Sequence, residues 1–216
     1  MRPWPVSYVL AAPVAILAVL PLLVLLDLGV GADTLWDPHW LDVLGQSLAL
    51  AGLTVVGSLF LGVPLAVMTA YVRLPLRGLW LPLLAAPLAM PSYIGAFTFY
   101  AAFGPGGEIE QLTGIPTPEL RGLTGAAVVM SLYTFPFVLL TTRASLRGLD
   151  ASVLDAARTL GLSLPQALWR AVLPRVRRGI AAGALLAALY TLSDFGTPAI
   201  MGVDTFTRVI FVEYNA

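Results

Sequence analysis

Asp194 is the ionisable residue with the strongest claim to a chemical role, because it ends an uncharged run that begins at Gly179 in a chain that is 58% hydrophobic. At about 1.5 Å per helical residue, it lies roughly 22 Å into a hydrocarbon core of about 30 Å. An ionisable group at that depth is costly and indicates a function, such as lining a path for a solute. The alternative is that the helix ends near Ser193 and Asp194 meets water and headgroups.

Tyr93 and Tyr133 are further polar groups within apolar runs, and they are either edges of the same path or ordinary interface aromatics. His39 lies beside two tryptophans in a chain without cysteine, so the sequence predicts no metal site. The apolar runs contain no HExxH, no nucleophile with a base and no paired carboxylates, which argues against catalysis. A phosphate loop of the GxxxxGK[ST] type is excluded, since the chain has no lysine.

The elements that must position these residues are membrane helices. Only 11% of the residues are charged, against about 25% in soluble domains, so the chain cannot solvate its own surface. A helix that crosses a membrane needs about 20 mostly apolar residues. The sequence therefore predicts an all-α, polytopic membrane protein with about five spans, over residues 8–26, 43–72, 79–103, 123–142 and 179–198.

The arginines predict which side each loop faces, because cytoplasmic loops carry the excess of basic residues. Loop 27–42 has four aspartates and no arginine, and loop 104–122 has three glutamates against one arginine. The short loop at 73–77 has two arginines and no acid, and loop 143–178 has seven arginines against two aspartates. The sign alternates at each crossing, which predicts a cytoplasmic N-terminus and a cytoplasmic loop 143–178.

This cytoplasmic loop reads as two short helices joined by a sharp turn. Asp150 is a plausible N-cap for the first helix, and Gly161 suits the left-handed residue that ends it. Ser163 and Gln166 have the spacing of a capping box for the second helix, and Pro174 is expected to end or kink that helix. The loop is therefore predicted to be a rigid elbow, either docking a cytoplasmic protein or lying on anionic lipid of the inner leaflet.

The elbow resembles the EAA loop of the membrane subunits of binding-protein-dependent ABC importers. That pattern is Glu-Ala-Ala, three residues, Gly, nine residues and Ile-x-Leu-Pro, and the spacing matches throughout this chain. Aspartate replaces glutamate at the first position, and Ala171 replaces isoleucine. The resemblance implies a type I permease fold and a role in coupling to an ATPase for Asp155, Ala156, Ala157, Gly161, Leu173 and Pro174.

A second stretch, TLSDFGTPAIMGVDTFTRVIF at 191–211, is similar to the corresponding segment of ferric-iron permeases. These permeases usually fuse two halves of about six spans each. The resemblance thus implies that residues 1–216 are a single transmembrane permease domain, the N-terminal half of such a protein, with the sixth span missing.

The resemblance also implies partners: a cytoplasmic ATPase dimer that uses ATP, an extracytoplasmic substrate-binding protein, a second permease half and the lipid of a bacterial inner membrane. No cofactor and no nucleic acid are expected. Thiamine, polyamine and phosphonate permeases remain alternatives to the ferric-iron type. A proton-coupled carrier that uses Asp194 is the rival from another class, and ATP dependence would separate the two.

Overall fold

The computed structural model describes residues 38–72, 74–104, 106–115, 120–150 and 152–214, and every regular element within them is helical. The predicted first span, 8–26, lies outside these residues. A 3₁₀ turn covers Ala86–Ala89 and a π-helical turn covers Leu168–Val172. The α-helices are Pro38–Tyr71 (α1), Arg77–Ala85 (α2), Ser92–Phe103 (α3), Glu108–Thr113 (α4), Gly122–Arg147 (α5), Ser152–Thr159 (α6), Leu164–Ala167 (α7), Leu173–Ser193 (α8), Gly196–Met201 (α9) and Phe206–Tyr214 (α10).

Two helices in the described part of the chain, His39–Tyr71 and Gly122–Arg147, are long and apolar enough to cross a membrane. They coincide with the predicted spans 43–72 and 123–142. The first begins before its predicted start and ends one residue early at Tyr71, and the second extends past both predicted ends. Pro64 and Pro136 lie inside these helices, which remain continuous. Continuity fits the tolerance of membrane helices for proline where neighbours satisfy the freed carbonyl groups.

The predicted span 79–103 is broken rather than continuous. Helices on its two sides meet at an angle of 93°, and they make a third span only if the bent pair is counted as one. Met90 and Pro91 between them have extended backbone, with ψ of 145° and 139°. The break follows from the chemistry of proline, because the residue before a proline avoids the helical region and proline itself has no N–H to donate.

The predicted span 179–198 is also interrupted, since α8 ends at Ser193 and Asp194 is extended with ψ of 132°. Within α8, the small residues fit closely against α5. A Cβ atom added to Gly183 would lie 2.6 Å from Val138 Cα, and one added to Gly179 would lie 2.9 Å from the Thr141 carbonyl oxygen. Gly179 and Gly183 have the GxxxG spacing that is typical of close helix contacts.

The residues from Asp42 to Ala216 make up one compact unit. Its buried apolar side chains form two clusters. One joins α1, α3 and α5 to the α9 region and includes Leu50, Ala96, Tyr133 and Met201. The other joins α5 to the elbow and includes Phe135, Leu139, Leu146, Val172 and Val176. Large apolar side chains also face outward, as lipid contact requires, among them Phe60, which is 79% exposed.

Candidate coupling elbow and translocation path

The first half of the elbow is built by local hydrogen bonds at both ends of α6. At its start, the Ser152 N–H donates to Asp150 Oδ1 at 3.0 Å, and this bond holds the pKa of Asp150 below its usual range. At its end, the Gly161 N–H donates to the Arg158 carbonyl and the Leu162 N–H to the Ala157 carbonyl, with Gly161 at a φ of +86°. This pair of bonds is the Schellman motif, which confirms the predicted left-handed glycine.

The second half begins at Ser163, whose backbone N–H donates to Gln166 Oε1 at 3.1 Å in the predicted capping box. Pro174 was predicted to end or kink the helix, and an end is not what the structure shows. Pro174 lies in the first turn of α8, directly after the π-helical turn Leu168–Val172. The elbow therefore passes into α8 without a break.

The elbow divides its predicted coupling residues between two surfaces. Asp155, Ala156 and Gly161 are exposed, as is Pro174 at the start of α8. In contrast, Ala157 is only 6% exposed and points inward. Leu173 packs with Leu154 and Leu168 against the buried cluster beneath the elbow. The exposed residues are available to a partner, whereas Ala157 and Leu173 hold the elbow on the bundle.

The structure brings the two breaks in the predicted spans together. Ser92, the first residue of α3, donates from its hydroxyl group to Asp194 Oδ1, and the Thr197 N–H donates to Asp194 Oδ2 at 2.9 Å. The Thr207 hydroxyl group donates to the Asp194 main-chain carbonyl at 2.7 Å. The side chain of Asp194 thus caps the helical turn that follows it and links that turn to α3. The main-chain carbonyl group of Asp194 accepts the bond from α10.

Tyr133 and Tyr93 lie at this same junction. The Tyr133 hydroxyl group donates to the Pro91 carbonyl at 3.2 Å, and its ring lies where a side chain on Gly95 would be, with Cε2 2.2 Å from that Cβ. A Cβ atom added to Gly196 would likewise lie 2.7 Å from Tyr93 Cβ. Tyr133 is 7% exposed and Tyr93 is 53% exposed. All three residues predicted for the path therefore lie close together: Tyr93 is exposed, Asp194 is partly exposed and Tyr133 is buried.

Sequence reasoning missed the partners of Asp194. Ser92 is a buried polar residue that follows Pro91 in an otherwise apolar run, which is a detectable signal for a helix start after a break. A second missed contact joins α1 to the loop before α10, where Gln46 Oε1 accepts from the Asp204 N–H and Ser47 Oγ accepts from the Phe206 N–H. Nothing in the local pattern marks that contact.

The described residues contain no group of three or more His, Cys, Asp or Glu side chains that could hold a metal ion. Their chemistry is that of helix caps and packing. Together, the apolar helices, the breaks at Pro91 and Asp194 and the capped polar elbow between α5 and α8 are the features of a multi-pass membrane protein.

Residues 62–214 match the family described as "Binding-protein-dependent transport system inner membrane component". The match covers the elbow and both breaks, and the chain belongs to this family. It is accordingly a transport permease component and not an enzyme.

Several curated relatives resemble the chain over most of its length. It is 26% identical over 183 residues to the Fe(3+)-transport system permease protein FbpB 2 of Haemophilus influenzae, covering 85% of this chain and 33% of that one. It is 29% identical to the molybdenum transport permease ModB of Azotobacter vinelandii, covering 81% and 79%. The spermidine/putrescine permease PotB of Salmonella typhimurium is 32% identical, covering 78% and 61%. The chain thus spans only a third of the length of its ferric-iron relative.

Among solved structures, an amino acid ABC transporter has the same fold with a TM-score of 0.58. The alignment covers 84% of this chain and 80% of that one at 16% sequence identity. An all-helical permease fold is therefore confirmed.

Proposed function

We propose that this chain is the membrane-spanning subunit of an ATP-driven ABC importer and that ferric iron is its cargo. In this proposal it forms the translocation path with a second permease half, fused or separate. A cytoplasmic ATPase dimer supplies the energy, and an extracytoplasmic binding protein delivers the substrate. The N-terminus and the elbow face the cytoplasm of a bacterial cell, on the side that the arginines favour.

The observation that carries the proposal is the geometry of the elbow. Asp155 and Ala156 lie exposed on a short helix whose two ends are closed by an N-cap and by the turn at Gly161. A surface fixed in this way can transmit a movement of the ATPase to the membrane helices, whereas a flexible loop would not. Surface charge adds little, since an exposed ion pair contributes about 0–1 kcal/mol. Shape at Ala156 is therefore expected to matter more to docking than the charge of Asp155.

A mechanical route leads from the elbow to the candidate path. The π-helical turn joins the elbow to α8, which has 21 residues and a length of about 32 Å. Along that length α8 fits tightly against α5 through Gly179 and Gly183. At its far end Asp194 bonds to Ser92, where the predicted span 79–103 resumes after its break. We infer that movement of the elbow by the ATPase tilts α8 and reorients the break at Met90 and Pro91.

Asp194, Tyr93 and Tyr133 take different parts in this route. Both carboxylate oxygens of Asp194 accept a hydrogen bond from the protein, and these bonds hold the carboxylate in place. Tyr133 is buried and braces the break through Pro91. Tyr93 is exposed beside them and is the member of the three that can face a passing solute. We propose that Asp194 and Tyr133 position the path and that Tyr93 lines it.

Ferric iron is favoured by the similarity of segment 191–211 to ferric-iron permeases and by the relative FbpB 2. Relatives named for molybdenum and for spermidine/putrescine have similar identity, and they keep molybdate and polyamines as alternatives, with thiamine and phosphonates behind them. The assembled transporter delivers the cargo from its binding protein, so the permease itself need not hold a metal tightly.

The test is uptake of labelled ferric iron, molybdate and spermidine by the source cells, with and without this locus and after ATP depletion. The proposal expects that deletion removes an ATP-dependent ferric component, and that the intact locus restores it. Loss of molybdate or spermidine uptake instead would still support an ABC importer and would identify that compound as its cargo. Uptake that survives ATP depletion and collapses with the proton gradient would support the carrier rival.

A further inference from the structure

A cavity of about 370 Å³ lies beside the elbow and apart from the candidate path. We call it the arginine cleft. Its walls are the end of α1 at Thr69, the loop at Leu74, the start of α2 at Trp80, and the last turns of α5 at Arg143 and Arg147. The size lies within the range of small-molecule sites, which is about 300–1,000 Å³.

The cleft carries positive charge without a described acid to balance it. Arg143 and Arg147 are four residues apart and so lie on the same face of α5, one turn from each other. None of the described residues that line the cleft bears a carboxylate. The nearest acid in sequence, Asp150, uses a carboxylate oxygen to cap α6. Two guanidinium groups that line one cavity from successive turns of a helix favour an anion between them.

Arg143 supplies a second observation that points to a ligand. Its Nε atom is buried and has no hydrogen-bond partner among the described residues. A buried donor without a partner is unfavourable, and an oxygen acceptor within the cleft would remove that deficit. Guanidinium groups match the oxygens of phosphate particularly well, because their N–H groups form a planar fork.

The remaining walls suit the edge of a bilayer. The Trp80 indole N–H donates to the Pro75 carbonyl at 2.7 Å, which fixes this aromatic ring beside the cleft. Tryptophan is typical of the membrane interface, and basic pockets between helices on the cytoplasmic side bind anionic headgroups.

We propose that the arginine cleft binds a phosphate group and that an anionic phospholipid headgroup supplies it. A soluble phosphate ester has the same chemistry and is the other possible source. The occupied cleft would join the start of α2 to the end of α5, immediately before the elbow begins. Only the assignment of the arginine cleft to the cytoplasmic side rests on the function proposed above. Binding to the cleft can be measured without any transport.

The experiment uses the purified full chain in detergent, titrated with phosphatidylglycerol, phosphatidylcholine or inorganic phosphate and followed by native mass spectrometry. The test variant is Arg143→Gln with Arg147→Gln. The matched control is Arg177→Gln with Arg178→Gln, which removes the same charge from exposed residues at the start of α8. Arg147→Gln alone keeps the test valid if the double variant fails to fold, because Arg147 is exposed.

The expected result is preferential binding of phosphatidylglycerol over phosphatidylcholine, weakened about tenfold or more in the cleft variant and little in the control. Binding of inorganic phosphate alone, lost in the same variant, would retain the site and make a soluble phosphate ester its ligand. Equal losses in both variants would mean diffuse attraction to basic residues and would overturn the proposal. Binding that no variant alters, or no binding at all, would overturn it as well.

Discussion

The Ser92 hydroxyl group donates a hydrogen bond to the carboxylate of Asp194, and this bond joins residues that are 102 apart in the chain. Each residue lies where a predicted membrane helix breaks. Because α8 leads from the elbow to Asp194, the bond connects the candidate coupling surface with the candidate path.

A double-mutant cycle tests this connection. Ser92→Ala and Asp194→Ala should each destabilise the protein, and their effects should be coupled by about 0.5–2 kcal/mol, because either change removes the same bond. The measurement is thermal unfolding in detergent. Thr98→Ala serves as the control partner for Asp194→Ala, since the Thr98 hydroxyl group bonds only within α3, to the Ile94 carbonyl. Additive effects for Ser92 and Asp194 would contradict the bond.

Close packing of α8 on α5 predicts a strong response at Gly183. A Cβ there would lie 2.6 Å from Val138 Cα and 3.0 Å from the Phe137 carbonyl oxygen, so Gly183→Ala must separate the backbones. We expect a loss of about 1–3 kcal/mol in the free energy of unfolding. Gly52→Ala in α1 is the matched control, because a Cβ at Gly52 meets nothing within 4 Å. Equal effects of the two changes would refute tight packing.

Gly161 is required because its backbone is in the left-handed region, and not because a larger side chain would clash with a neighbour. Its φ is +86°, and a Cβ would meet nothing within 4 Å. Gly161→Ala should therefore cost about 1–2 kcal/mol through strain alone. The effect should appear as faster hydrogen exchange at the Leu162 amide, which bonds to the Ala157 carbonyl. Gly148→Ala is the control, since Gly148 has a φ of −81°; exchange unchanged by Gly161→Ala would count against the strained turn.

The cap at Asp150 predicts a pH dependence in the elbow. The bond from Ser152 lowers the pKa of Asp150 in the folded protein, so its stabilisation is present above the ordinary carboxyl pKa of about 3.9. That stabilisation is lost as the pH falls through the lower folded pKa. Hydrogen exchange at the Ser152 amide should report the loss. Asp150→Asn keeps an acceptor oxygen at every pH, and an acid transition that persists in this variant would assign it to another group.

The elbow was predictable from sequence because its structure is local. Asp150, Gly161, Ser163 and Gln166 each act within a few residues of themselves, and each has the predicted partner or conformation. The same sequence reasoning placed the spans at 43–72 and 123–142, since long uncharged runs have few alternatives.

What the sequence did not predict depends on contacts between distant residues. The 93° break at Met90 and Pro91 is stabilised from outside by Tyr133, and the break at Asp194 is fixed by Ser92. Pro64, Pro91 and Pro136 all lie inside predicted spans, and the local sequence does not distinguish Pro91, where the helix breaks, from the other two, which lie within continuous helices. Likewise, the difference between exposed Ala156 and buried Ala157 arises from packing of the elbow on the bundle.

The central claim is that the elbow docks an ATPase, and cysteine cross-linking tests it most directly, because the chain contains no cysteine of its own. Ala156→Cys places a thiol on the exposed face, whereas Ala157→Cys places one on the buried face. With single cysteines placed across the surface of the partner ATPase, we expect a cross-link to Ala156→Cys that responds to ATP and little or none to Ala157→Cys. Failure of Ala156→Cys to cross-link at any of these positions, or equal cross-linking of both variants, would contradict docking through this surface.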